Sequence, residues 1–442
     1  MTRQSEFVPE IATTSPSRRQ SSVGERDTGL LPEPARDVAA GQSRESRRAK
    51  PATIAVEKHR RRAVGREPGE PTVQMPEVGS RLSGLDLFRG LTVAAMILVN
   101  NPGDWVHVWS PLTHADWNGW TIADLIFPCF LFILGTAGAL SLRRRHQTGM
   151  PRATLALHAL RRGALIMLVG WLIAAFPFTP DRIAHLRIPG VLPRIGLVFI
   201  LGTWVVLAVR DWRWIALAIL VLLAVHTYLL TGIGYDLTPD GNVQLATDRA
   251  LLGRHIWQDG GDPEGVVSTL SATATMLTGT LAGYLLVSRV EARRKMLWLF
   301  TAGFIGLLVG ELWSWFLPIN KHLWTGPFVL FSSGAAAILL AGCMSFGDIR
   351  LFRRPFSIFA IFGKNPLAAF VFAELIGRTM HMVHWHDRSE AAVSLRSYLF
   401  EHGFGWLHHP TVASHLFGLS IILILYLTLR EFEARNWHWK IS

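Results

Sequence analysis

Between residues 99 and 128 the chain reads VNNPGDWVHVWSPLTHADWNGWTIADLIFP, a short stretch that gathers Asn100, Asn101, Asp104, His107, His114, Asp116, Asn118 and Asp124 with four tryptophans. A neutral imidazole can take the proton of an attacking amine or hydroxyl near neutral pH, and an amide N–H can stabilise the oxyanion that forms on an attacked carbonyl. The stretch joins two strongly apolar segments. Polar groups held at the edge of hydrocarbon are costly, and a connection that only crossed an interface would not need them, so this loop is the first candidate for a functional site. Asp124 has two readings. Thr121 and Asp124 ahead of an apolar run match a helix-capping pattern, and the same carboxylate could support catalysis.

The elements that must position these groups are membrane spans. Half of the 442 residues are hydrophobic and 17 are Trp, and the mean hydropathy is +0.29. These values describe an all-α, polytopic transmembrane helical bundle. Apolar stretches at 81–100, 121–142, 157–178, 194–209, 212–230, 266–287, 297–317, 325–345, 356–376 and 411–429 give about ten spans. Residues 1–80, rich in Arg, Ser, Pro and Glu with a basic run at Lys58, Arg60, Arg61 and Arg62, offer too little apolar surface to fold. They are expected to form a disordered basic cytoplasmic tail ahead of a transmembrane domain at 81–442. No signal-peptide h-region is seen in them.

A net charge of +12 raises nucleic acid as a partner, but the cations collect in the tail and in alternate loops. Arg143, Arg144, Arg145, Arg152, Arg161 and Arg162 follow the second span, Arg210 and Arg213 the fourth, Arg289, Arg293, Arg294 and Lys295 the sixth, and Arg350, Arg353 and Arg354 the eighth. The loop 101–120 carries no Lys or Arg. By the positive-inside rule both termini are cytoplasmic, His114 is extracytoplasmic, and no nucleic-acid role is needed. The two cysteines, Cys129 and Cys343, fall far apart in apolar segments and read as packing residues.

Four further places could carry chemistry. Asp86 and Arg89 sit three apart on the first span, as an interfacial ion pair or as a contact to a cofactor phosphate. Asp262, Pro263, Glu264 and Gly265 open the sixth span, where helix capping is the expected role. Gly363, Lys364, Asn365 and Pro366 interrupt the ninth and suggest a broken helix lining a cavity. His381, His384, His386, His402, His408 and His409 crowd the loop 377–410, but no Cys or carboxylate pattern completes a ligand set, and no metal is expected.

The runs RLSGLDLFRGLTVAAMILVNNPG and HADWNGWTIADLIFPCFLFILG closely resemble the heparan-alpha-glucosaminide N-acetyltransferase-like family of membrane acyltransferases, which has many bacterial members. IPGVLPRIGLVF at 188–199, DPEGVVSTLSATATMLTG at 262–279, LPINKHLWTGPFVLFSSG at 317–334 and GKNPLAAFVFAEL at 363–375 extend the likeness over 81–430. The resemblance implies that His114 is catalytic, with Asn100 as its partner. It implies acetyl-CoA as acyl donor on the cytosolic side and an amino sugar or glycan as acceptor on the other. In bottom-up terms His114 is then the general base and Asn100 the oxyanion or positioning group, with Asp124 in support. CoA phosphates require cations and amides near the donor's entry, for which Arg89, Lys364 and Asn365 are the candidates. Trp105, Trp109, Trp117 and Trp120 either stack on a sugar or anchor the loop at the lipid interface.

Departures from the family pattern at Asp116 and Pro327 fall around the acceptor rather than on a catalytic group. The implied setting is a bacterial plasma membrane, with acyl-CoA, the acceptor and the bilayer as partners and a homo-oligomer left open. A transporter without covalent chemistry is the reading from another class, although no internal repeat is visible, and O-acylation of an envelope polysaccharide or lipid changes only the acceptor.

Overall fold

A stretch of small and hydroxylated residues, STLSATATMLTGTLAGYLLV, forms the central helix of the bundle. In the computed structural model, which describes residues 83–209, 211–257, 261–347, 358–386, 392–435 and 437, this helix is α8, Ser268–Val287. Its hydroxyls turn back onto their own helix, as where Thr273 donates to the Thr269 carbonyl at 2.8 Å, so that the helix presents a nearly apolar exterior. Two-thirds (67%) of α8 is buried, against 17% of α9, Ala292–Trp313, on the outside of the bundle. The expected tail with its basic run lies outside the described residues, as do Arg210, Arg350, Arg353 and Arg354.

Around α8 stand α1 (Ser83–Asn100), α2 (Ile122–Gln147), α3 (Arg152–Ala175), α5 (Val191–Val209), α6 (Trp212–Thr231), α10 (Gly326–Gly347) and α14 (Pro410–Ala434). Eight of these helices, α1 excepted and α8 and α9 included, are long and apolar enough to cross a membrane. A ninth span is made by α11, Ile358–Lys364, and α12, Pro366–Met382, bent by 96° where the sequence places Gly363 and Pro366. With α1, which carries Asp86 and Arg89 through its first half, the arrangement approaches the ten expected. Shorter helices α4 (Pro180–Ala184), α7 (Val243–Leu252) and α13 (Leu395–Phe404) lie in the connections. The His-rich loop adds an antiparallel ribbon, His384–His386 with Ala392–Ser394.

Glycines let α2 and α8 approach closely. A Cβ on Gly135 of α2 would stand 1.9 Å from the Met276 carbonyl oxygen, and one on Gly279 of α8 would stand 2.0 Å from that of Phe132. Thr136 donates to the Gly279 carbonyl at 3.0 Å across the same seam. Without a hydrophobic driving force between helices in lipid, such close backbone approach and an interhelical hydrogen bond are what hold the pair.

The two ends of the bundle differ in charge. At the C-terminus of α8 the Leu286 and Val287 carbonyls, lacking intrahelical donors, accept from Lys295 at 2.8 Å and from Arg143. The loop 101–121 leads into the opposite end of α2, roughly 39 Å away for its 26 residues. Cys129 and Cys343 are free and buried.

Candidate functional site

Two loops build the site, and both are short and internally braced. The first ends in Thr121 and Asp124 at the start of α2. Asp124 Oδ2 accepts from the backbone N–H groups of Ala115 and Thr121, each at 3.1 Å, while the Thr121 hydroxyl donates to the Thr113 carbonyl at 2.6 Å. The bond to the Thr121 N–H is the capping contact expected from the sequence. Oδ1 points the other way. His114 Nδ1 donates to it at 2.7 Å, and Lys321 Nζ lies 3.1 Å from it. Capping and support of His114 are therefore carried by different oxygens of one carboxylate.

Lys321 comes from the second loop, between α9 and α10. Asn320, fully buried, accepts from the Leu323 N–H at 2.8 Å in an Asx turn and donates to Asn118 Oδ1 at 3.1 Å. Trp324 is held at φ 54° by its burial and by donation from Nε1 to the Thr275 hydroxyl at 3.0 Å. Gly119 N–H donates to the Ile319 carbonyl at 2.8 Å and joins the two loops. The charge relationship is uneven: side-chain exposure is 47% for His114 but 1% for Asp124 and 16% for Lys321. An imidazole open to solvent thus stands on a buried ion pair.

Because ionised Asp124 only accepts, the 2.7 Å contact places the His114 proton on Nδ1 and leaves the lone pair on Nε2. This is the arrangement of a general base oriented by a carboxylate. The neighbouring His322 differs. Burial, with Lys321 alongside, pushes its imidazole down to about 4, and its ring stacks on Trp117 at 5.0 Å between centroids. It is a neutral packing group.

Behind His322 lies a polar platform. Arg187 binds Asp262 through Nε at 2.7 Å and Nη2 at 2.6 Å and also pairs with Glu264. Gln244 donates to the Asp262 and His322 carbonyls at 2.7 and 2.8 Å and so connects the platform to the lysine loop. The capping role expected of Asp262 is not the one found: Val267 occupies the N-cap of α8 with no side-chain bond. The bidentate guanidinium engages that carboxylate, which instead holds the loop by accepting from the Trp257 and Glu264 N–H groups. Burial pushes the Asp248 carboxyl in α7 up to about 6.

The remaining candidates fall elsewhere. Asn100 ends α1 near Glu374 of α12; among the described residues no hydrogen bond joins it to His114. Arg89 donates through Nη1 to Asp86 Oδ1 and to the Gly363 carbonyl, both at 3.0 Å. Lys364 pairs with Glu433 of α14, and Asn365 is buried with its Nδ2 unpartnered. Arg89, Lys364 and Asn365 therefore meet around the helix break, apart from the His114 loop. His381 and His384 stack edge-on at 6.0 Å, and among the described residues no three metal-ligating side chains gather.

The tryptophans divide as well. Trp105 and Trp109 are exposed, whereas Trp117 donates to the Leu237 carbonyl at 2.8 Å and is structural. Pro327 is the second residue of α10, where its missing N–H costs nothing. Lys321 is the site residue that sequence reasoning passed over. The signal was present: a single cation in the 314–325 connection, on the side where the loops carry few.

The family of the heparan-alpha-glucosaminide N-acetyltransferase catalytic domain matches residues 81–311. The Mus musculus heparan-alpha-glucosaminide N-acetyltransferase is 28% identical over 323 residues, covering 59% of this chain and 48% of the relative. The Homo sapiens protein of the same name is 27% identical over 331 residues, covering 61% and 49%. The chain spans about half the length of these curated relatives. The matched segment holds the His114 loop, the α2–α8 seam and the Asp262 platform, and the chain belongs to the heparan-alpha-glucosaminide N-acetyltransferase catalytic-domain family.

Proposed function

We propose that this integral membrane protein moves an acetyl group from cytosolic acetyl-CoA to an extracytoplasmic amino sugar or glycan, with His114 as general base. The observation that carries the reading is the His114–Asp124 pair at 2.7 Å, exposed on one side and anchored on the other. The acceptor amine, hydrogen-bonded to Nε2, loses its proton as it attacks the thioester carbonyl. Asn100 acts as a positioning group at the end of α1. Arg89, Lys364 and Asn365 bind the donor: the orphaned Asn365 amide offers a buried N–H2, and the cations answer the phosphates.

The names of the relatives support an amino-sugar acceptor, and the loop charges support a plasma-membrane setting with both termini cytoplasmic. Purified protein given labelled acetyl-CoA and a panel of amino sugars and envelope glycans is expected to label an amine. Transfer only to hydroxyls would move the acceptor to an O-acylated glycan, and no transfer to any of them would remove the acyltransferase reading.

Orientation can be checked independently. Ser110→Cys, in the 3-10 turn Ser110–Leu112, and Thr148→Cys, after α2, are both exposed positions, and the native cysteines are buried. An impermeant thiol reagent added outside intact cells is expected to label the first and spare the second. The reverse pattern would put His114 on the cytosolic side.

A further inference from the structure

Lys321 Nζ stands 3.0 Å from Nδ1 and 3.5 Å from Nε2 of His114. Two distances so alike put the ammonium over the face of the imidazole, since a donor in the ring plane on Nδ1 would be far from Nε2. Nδ1 is in any case committed to Asp124 and has no lone pair to give. One N–H of Lys321 is taken by Asp124 Oδ1 at 3.1 Å. Among the described residues the other two find no oxygen acceptor, although the side chain is only 16% exposed. A lysine this buried ordinarily has its donors paired, and here Nζ stands beside Nε2 with donors to spare.

We infer that Lys321 supplies the cation that stabilises the oxyanion in acyl transfer, the role the sequence suggests for Asn100. This rests on the acyltransferase reading of the site. An amine bound at Nε2 presents its carbonyl target so that the oxygen, if turned toward Lys321, comes within about 3 Å of Nζ. The amine nitrogen forms the new bond to the carbonyl carbon, the carbonyl pair moves to oxygen beneath the ammonium, and the amine proton passes to His114 Nε2. When the oxyanion collapses, the C–S bond breaks, and the thiolate takes the proton from His114 to leave as CoA thiol. The amide product and the free thiol complete the balance, with Lys321 and Asp124 unchanged. Asn100, at the end of α1, is not needed for this charge.

Lys321→Met keeps the apolar stem and removes the charge. Its kcat is expected to fall by about 10²–10³-fold, with the KM for acetyl-CoA held within about 3-fold. A ketone analogue of acetyl-CoA that hydrates to a tetrahedral form should lose about 100-fold in affinity for this variant, while acetyl-CoA binds as before; a merely structural lysine would weaken both alike. Lys321→Cys, treated with 2-bromoethylamine and read on its own folded fraction, should regain activity, with treated wild type as control. Wild-type kcat in Lys321→Met, equal weakening of analogue and acetyl-CoA, or no recovery in folded, aminoethylated protein would overturn the role of Lys321. Inactive wild type, or active His114→Ala, would instead overturn the reading beneath it.

Discussion

Replacing His114 with alanine is expected to lower acetyl transfer by on the order of 10³-fold or more while leaving acetyl-CoA binding within a few fold. The side chain is half exposed and makes one strong protein contact, to Asp124, so its removal deletes the base without opening a packed core. Asp124 keeps its two backbone donors on Oδ2 and its ion pair with Lys321. The fold should therefore survive, which a melting curve on the detergent-solubilised protein would show. His114 also decides between direct transfer and an acetyl-imidazole intermediate. With Nδ1–H committed to Asp124, Nε2 holds the one available lone pair, and acetylating it would leave the acceptor amine without a base. Direct transfer avoids that conflict. Wild-type protein incubated with radiolabelled acetyl-CoA and no acceptor, then rapidly denatured, should carry no label on His114; a trapped acetyl group there, with parallel lines in initial-rate plots, would establish the two-step route.

Asp124→Asn should be nearly as damaging, by about 10²–10³-fold in kcat, for a different reason. Two backbone N–H donors converge on Oδ2, so an asparagine must place its carbonyl oxygen there and turn its amide N–H2 toward His114. The imidazole then has to accept at Nδ1, which moves its proton to Nε2 and removes the lone pair that receives the acceptor's proton. The acetyl-CoA KM should change little. Wild-type rates in this variant would reduce Asp124 to a helix cap.

The sequence contained much of this because each legible feature is local. Length and hydropathy mark each span, Thr121 and Asp124 mark the start of α2, and Gly363 with Pro366 marks the 96° bend. His114 and Asp124, ten residues apart, could be joined as neighbours on one loop. What stayed hidden depends on distant chain segments. Lys321 reaches Asp124 from nearly two hundred residues away, and the Asn118–Asn320 bond, the Gly119–Ile319 bond and the Trp117–His322 stack bring its loop alongside. Asp262 has the local grammar of a helix cap, but Arg187, far upstream, offers two charge-assisted bonds and takes the carboxylate instead. Asn100 and His114 look adjacent in sequence, yet Asn100 ends α1 and among the described residues no hydrogen bond joins the two.

The contact between Gly135 and Gly279 makes α2 a lever with its fulcrum in the middle of the bundle. Asp124 sits eleven residues from Gly135, roughly 16 Å along the helix axis. A methyl group added at either glycine would collide with a facing carbonyl and force the helices apart or aslant, and a tilt of only ~5° over that arm displaces the carboxylate by ~1.4 Å. A shift of that size is enough to break a 2.7 Å bond to His114. Misalignments of about 1 Å at a reacting centre can cost 10²-fold in rate. Changes sunk deep inside the bundle can therefore silence the chemistry proposed for the His114 loop while every group that touches substrate keeps its identity.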